Sequence, residues 1–293
     1  MDTVTITITK QPELFIEAEC FTPDALAGKT AEQIAELPVH IGRTTEKVGD
    51  YFAVEGAAGA TAEETKLVLK GDLSRVKYIG AKMTAGEVVV NGDADMYVGA
   101  WMKGGKITVN GSIGHFAATS MEGGEIHVTG NAGNYLAASY RGDWRGMKGG
   151  RIVVDGNVGS DCGTFMVGGE IVVGGNIDVH VMTHADGGKV IIHGNAKSRL
   201  GGQASRGEIY LFGTVDVMMP GYKFAREEEL EVEGEKAVFV PFSSAVHSVC
   251  ASTLNAKHIY ALSAFLRSNF LFLSFLNGTR TETRSGINIP KRK

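Results

Sequence analysis

Three histidines are the first residues whose type and spacing could do chemistry. His180 and His184 stand four apart, the spacing that sets two zinc ligands on one face of a helix. The chain around them alternates like strands and turns, so no shared helical face is expected, and His193 falls at a different place in the local pattern. Nothing nearby adds the cysteine or carboxylate ligands of a closed site. These are turn or surface histidines on this reading, and no metal is expected on the chain. A sugar-cleaving enzyme would need two carboxylates about 5–9 Å apart. Asp93, Asp95, Asp155, Asp161, Asp178, Asp186 and Asp216 are scattered, with Asp93 and Asp95 the nearest thing to a pair. Cys20, Cys162 and Cys250 are far apart and include no CxxC pair. That fits a reducing cytoplasm, and the chain alone cannot ligate a four-cysteine iron–sulfur cluster. There is no GxSxG, HExxH or P-loop, and no GxGxxG between a strand and a helix. No catalytic residue is assigned.

What must position any site is a repeat. Glycines 71, 92, 111, 130, 156, 175, 194 and 213 close segments such as VVVNG, ITVNG and IHVTG, at spacings of 21, 19, 19, 26, 19, 19 and 19 residues. Six residues before all but the first stands another glycine: Gly86, Gly105, Gly124, Gly150, Gly169, Gly188 and Gly207. A period near 19 predicts a solenoid whose units bury their apolar faces only against one another. After each upstream glycine the second and fourth residues are aliphatic, as in Ile107 and Val109, which predicts a strand with an inward face. A second strand is expected two residues past each anchor, led by Leu73, Ala94, Ile113, Ala132, Val158, Ile177, Ala196 and Val215. Met83, Met102, Met121, Met147 and Met166 form a further inward row that fills irregular core space. Cys162 replaces Val98, Leu136 and Leu200 of other rungs, so it is expected to be buried and inert. The glycines mark corners that need positive φ or close backbone approach, and the Asn, Asp, Ser or Thr after each anchor suits a left-handed bend. The fold expected is mainly β: a parallel β-helix of about eight rungs, roughly 38 Å long at one strand spacing per rung.

One rung is seven residues too long, and the surplus lies in the segment SYRGDWRGM, between Gly130 and Gly156. It cannot join the coil without breaking register, so it must project outward. Tyr140, Arg141, Asp143, Trp144 and Arg145 are interface-anchoring types; docking to a partner is one reading, a self-packed loop with an internal Arg–Asp ion pair the other.

The ends differ from the repeat. TVTITIT near the start predicts a half-buried strand, and Thr30 to Gln33 has capping-box spacing that opens a short helix before Pro38. Residues 1–60 are expected to form an α/β cap, 61–224 the repeat, and 225–293 a C-terminal segment. Within that segment, residues 226–235 are acidic and strand-like and could close the last rung. From Pro241 on, seven of the 29 basic residues meet one of the 33 acids. The apolar run at 261–276, ALSAFLRSNFLFLSFL, is short for a membrane span of about 20 residues. The opening MDTVTITITKQ lacks the basic-then-apolar layout of a signal peptide, and no basic clustering in the repeat suggests nucleic acid.

The repeat of paired glycines, a charged residue, alternating aliphatics and a closing Gly-Asn or Gly-Asp resembles the β-helix at the end of the glutamate synthase large chain. It resembles the C subunit of formylmethanofuran dehydrogenase more closely. MTAGEVVVNGDADMYVGAWMKGGKITVNG, SYRGDWRGMKGGRIVVDGN, KQPEL, Pro23-Asp24 and LAGKTAEQI carry that resemblance over about residues 1 to 235, and the ending after about 240 departs from it. The resemblance implies a right-handed coil in an archaeal, cytoplasmic oxidoreductase complex. That complex turns CO2, methanofuran and reduced ferredoxin into formylmethanofuran, the first step of methanogenesis from CO2. It implies a tungsten or molybdenum bis-pterin centre, iron–sulfur clusters and a dinuclear metal site, all on other subunits. The partners implied are the pterin-bearing B subunit, the amidohydrolase-like A subunit, the D subunit and iron–sulfur subunits, with a heterodisulfide reductase assembly beyond. The role implied for this chain is non-catalytic scaffolding, with a glutamate synthase-type domain as the alternative.

Overall fold

A computed structural model describes residues 1–219 and, beyond them, strands as far as Ser252. The apolar run at 261–276 and the tail at 285–293 lie outside the described residues. Within them the protein is a parallel β-helix. Its main sheet stacks β6 (Thr65–Lys70), β8 (Glu87–Asn91), β9 (Lys106–Val109), β10 (Glu125–Val128), β11 (Arg151–Val154), β12 (Glu170–Val173), β14 (Asp186–Ile192) and β16 (Arg206–Leu211). Every neighbour in that stack is parallel and aligned rung on rung. Inward rows of like side chains follow, from Leu67 through Ile107 to Ile209 and from Leu69 through Val109 to Leu211, all buried.

Outward, one position per strand alternates in charge: Lys66, Glu87, Lys106, Glu125, Arg151, Glu170, Lys189 and Glu208 face one another in register. Lys66 pairs with Glu87 at 3.0 Å, Arg151 with Glu170 at 2.9 Å, and Lys189 with Glu170. Like charges directly opposite on adjacent strands repel, so this row favours the observed order of rungs.

Two kinds of glycine build the corners. The seven upstream glycines all have positive φ, between 82° and 121°. At six of them a side chain would also strike the methionine of the rung before, as at Gly124, where a Cβ would lie 2.7 Å from Met102 Cε, while at Gly86 it would meet Ala62 O and Pro23. Six of the eight anchors have ordinary φ and are glycine for another reason: at Gly111 a Cβ would sit 2.5 Å from the Gly92 carbonyl oxygen. The polar residues after the anchors do not occupy left-handed bends, contrary to the sequence expectation. They stack instead. Ser112, Asn131, Asn157, Asn176, Asn195 and Thr214 each donate a backbone N–H to the side-chain oxygen one rung earlier, at 2.7–3.1 Å.

The expected second strand also needs correction. Leu73, Ala94, Ile113, Ala132, Val158 and Ile177 do form one parallel ladder, but of single bridges. Strands appear there only late, as β13 (Ile177–Val181), β15 (Ala196–Leu200) and β17 (Val215–Val217).

The ends are closed by departures from the repeat. β1 (Asp2–Ile8) runs parallel to β6 and extends the main sheet without a glycine anchor, while β2 (Ile16–Glu17) pairs parallel with β7 (Val76–Lys77) in a small separate sheet. β5 (Phe52–Gly56) then pairs antiparallel with β1. The helix Ala31–Ala35, opened by the Thr30–Gln33 capping box, packs beside it and covers that edge. At the other end β21 (Ser248–Ser252) adds to β16, and β20 (Glu235–Ser243) turns back antiparallel. The acidic strand β19 (Glu228–Val232) pairs with β20 rather than with the last rung, and Val232 packs on Val172 and Ile191 of the sheet's outer face.

Two outcomes test this packing. Gly124→Val should destabilise the fold by at least about 3 kcal/mol in urea unfolding, because it adds left-handed strain to a clash with Met102. An unchanged midpoint would refute the corner geometry. For Glu170, burial pushes the carboxyl up, but hydrogen bonds from Lys189 and Arg151 outweigh it and hold the group low. A depressed folded pKa gives stability that is full above the ordinary carboxylate range and is lost as pH falls through the folded value. Glu170→Gln should therefore unfold with a shallower dependence on pH between about 6 and 2 than the parent; parallel curves would count against the pairing.

Candidate functional site

From five to nine residues past each regular anchor the backbone alternates in hand. Tyr97, Gly99 and Trp101 are left-handed, as are Phe116, Ala118 and Ser120, Asp161, Gly163 and Phe165, and His180, Met182 and His184. A left-handed non-glycine residue costs about 1–2 kcal/mol. Hydrogen bonds to both neighbouring rungs offset this: Phe116 N–H donates forward to the Asn134 carbonyl at 2.9 Å, and Ala118 N–H backward to Val98 at 2.7 Å.

The first of these left-handed positions aims its side chain outward in every rung, so like residues pile up. Tyr78, Tyr97, Phe116 and Tyr135 stack with centroids 4.8, 5.4 and 4.6 Å apart and nearly parallel planes. Trp101 joins Tyr97 at 6.4 Å. Each such contact contributes about 0.5–1.5 kcal/mol. Partial burial and neighbouring phenols push the Tyr78 hydroxyl up to about 12. Because the rings cover one another's faces, they offer edges and hydroxyls to solvent, which does not suit stacking against a sugar or a base.

The inserted loop folds onto this row. Tyr140 meets Trp101 at 5.3 Å and Tyr97 at 6.4 Å. Its ends are pinned by Ser139 N–H to Thr164 O, Gly146 N–H to Phe165 O, and Ser120 Oγ to the Arg145 carbonyl. The tip carries no Arg–Asp ion pair. Asp143 accepts the Arg145 N–H at 3.1 Å, while the Arg145 guanidinium lies 4.5 Å above the Trp144 ring. Trp144 is 67% exposed, and Arg141 is exposed with it. Tyr140, Arg141, Asp143, Trp144 and Arg145 thus share one ridge beside the aromatic row.

Beyond the loop the same outward row turns polar: Asp161, His180, Arg199. His180 Nδ1 is 3.6 Å from Asp161 and its Nε2 is 3.0 Å from Arg199 Nη1. His184 stacks on Phe165 and His193 on Phe212, so the three histidines serve different contacts. The aspartates are likewise dispersed. Asp93 caps Ser112 N–H, Asp155 meets His127 at 3.0 Å, Asp178 accepts from Ser160, and Asp186 pairs with Arg206 at 2.8 Å. Asp95 is partly buried, which raises its pKa. Burial pushes the thiols of Cys20 and Cys162 up to about 12, so they stay protonated. Among the described residues no three His, Cys, Asp or Glu side chains are grouped as ion ligands. The side chain of Cys250 lies outside the described residues.

The fold and this face define a glycine-cornered β-solenoid with an exposed aromatic ridge. Known proteins resemble it in sequence and in fold. The C subunit of a tungsten-containing formylmethanofuran dehydrogenase 2 from Methanococcus maripaludis is 58% identical over 132 residues, 45% of this chain and 47% of that one. The corresponding chain from Methanothermobacter marburgensis is 42% identical over 96 residues, 33% of this chain and 36% of that one. The C subunit of a molybdenum-containing formylmethanofuran dehydrogenase 1 from Methanosarcina barkeri is 41% identical over 87 residues, 30% and 29% of the two chains. The chain matches less than half the length of each of these relatives. No family profile matches it. A chain from the crystal structure of the formyltransferase/hydrolase complex FhcABCD of Methylorubrum extorquens, in complex with methylofuran, superposes with a TM-score of 0.76. It covers 85% of this chain and 99% of that one at 20% identity, which shows the shared fold. The resemblance to the C subunit of formylmethanofuran dehydrogenase is thus borne out.

If the ridge anchors a partner, Trp144→Ala should weaken association by about 2 kcal/mol or more, with the free chain's stability changed by under about 0.5 kcal/mol, since the ring is exposed. Analytical ultracentrifugation of the reconstituted complex measures the first; equal affinities would assign the loop to self-packing.

Proposed function

We propose that this chain is the structural C subunit of a formylmethanofuran dehydrogenase complex, a rigid β-helix that holds catalytic subunits together and performs no chemistry itself. The single observation that carries the reading is the 58% identity over 132 residues to a chain of that name. The exposed Tyr140–Trp144 ridge supports it, since Trp, Tyr and Arg dominate association energies.

The complex would convert CO2 and methanofuran, with reduced ferredoxin, to formylmethanofuran, the first step of methanogenesis from CO2. Its tungsten or molybdenum bis-pterin, its iron–sulfur clusters and its dinuclear metal site belong on other chains. The donor set here does not fit them: Cys20 and Cys162 are protonated thiols, and most of the candidate aspartates are tied to cross-rung partners. The neighbours would be the pterin-bearing B subunit, the amidohydrolase-like A subunit, the D subunit and iron–sulfur subunits, with a heterodisulfide reductase assembly attached. The setting would be the archaeal cytoplasm; no helix among the described residues is long and apolar enough to cross a membrane.

Affinity purification of the tagged native chain is expected to recover pterin- and iron-bearing partners at fixed stoichiometry. Recovery as a free monomer, or together with a flavin-containing amidotransferase instead, would overturn the assignment.

A further inference from the structure

Two arginines at the tip of the inserted loop have no carboxylate to meet. Lys82, which lies over Trp101, is spent on Glu19 at 2.9 Å, and Lys148, just past the loop, on Glu122 at 2.8 Å. Arg141 and Arg145 form no ion pair among the described residues, and Asp143, the one acid of the loop, is turned onto the Arg145 backbone N–H. We propose that the tip docks on an acidic stretch of a partner protein, whose carboxylates meet Arg141 and Arg145 while an apolar side chain covers Trp144. This rests on the reading of the chain as a subunit of a larger complex.

The tip is ordered before any partner arrives. Asp143 N–H donates to the Tyr140 carbonyl at 2.9 Å with Gly142 at φ 89°, a type II turn with Arg141 at its corner. The Asp143 carboxylate fixes the next bend, and Ser120 Oγ of the preceding rung holds the Arg145 carbonyl. The contact of the Arg145 guanidinium with the Trp144 ring restrains a side chain that otherwise loses rotamer freedom on binding. Residues 141–145 are nevertheless all exposed. A carboxylate beside an apolar group matches this pair, since arginine takes both oxygens as a fork and the indole covers the apolar body. Charge selects the same occupant. The chain carries 33 acids against 29 basic residues, so two unpaired arginines reverse its sign locally and attract a carboxylate-bearing surface. A nucleic acid would need a longer basic track on a chain of net charge −4.

Carbodiimide cross-linking tests this on the complex purified through a tagged full-length chain carrying Arg141→Lys or Arg145→Lys, because the reagent joins an amine to a carboxylate in direct contact. Mass spectrometry is expected to find position 141 or 145 joined to an Asp or Glu of a different polypeptide. Links only to copies of this chain, or none at either position while pterin- and iron-bearing subunits are present, would overturn the docking and leave the subunit assignment standing. A link to a flavin-containing amidotransferase would support the acidic docking and overturn that assignment. Arg145→Glu should weaken association at least about tenfold and make it less sensitive to salt; Arg141→Glu takes its place if circular dichroism finds the first unfolded. Unchanged affinity in a folded variant would also overturn the docking.

Discussion

The constraint on which this molecule depends is how closely one rung's backbone must lie on the next. At the anchors a single added Cβ would fall inside the carbonyl of the preceding rung, as at Gly92 against the Gly71 oxygen at 2.6 Å. With glycine there, the strand after each corner keeps its hydrogen-bonding distance, and all the inward rows come into register together. Asn131, Asn157, Asn176 and Asn195 then use the same closeness to accept the N–H of the rung above.

That spacing decides the surface as well as the core. Outward side chains meet their own counterparts about 5 Å away, so each surface row behaves as a one-dimensional array. An alternating-charge row neutralises itself along the sheet, while a row of aromatic rings stacks along the opposite part of the rung. Where the array changes character, at Asp161, His180 and Arg199, the row gives up ring contacts for ion–dipole ones.

The left-handed positions are the main cost of this arrangement. Tyr97, Phe116, Tyr135 and His180 all occupy backbone that side chains avoid. Inter-rung hydrogen bonds hold them there, joined by ring stacking at Tyr97, Phe116 and Tyr135. The inserted loop exploits the result, because Tyr140 finds Trp101 and Tyr97 already in place to pack against.

The parallel coil, its inward rows and the place of the extra loop were legible in the chain, because glycines and aliphatics recur at a period of 19 that only stacking can satisfy. The capping box at Thr30 was legible too, being a local hydrogen-bond pattern. Charge alternation from Lys66 to Glu208 was present in the letters, yet it acquires meaning only when one rung faces the next. Tyr78, Tyr97, Phe116 and Tyr135 likewise recur in successive rungs, but a period-two reading expects a strand there and gives no reason for them to stack. Only the tertiary structure decided the hand of the backbone at those positions. Left-handed residues are stabilised by bonds to other rungs, not by anything in their own sequence neighbourhood. The same holds for the loop tip, where Arg145 lies over Trp144 instead of pairing with an aspartate, a choice made by contacts that local spacing does not encode.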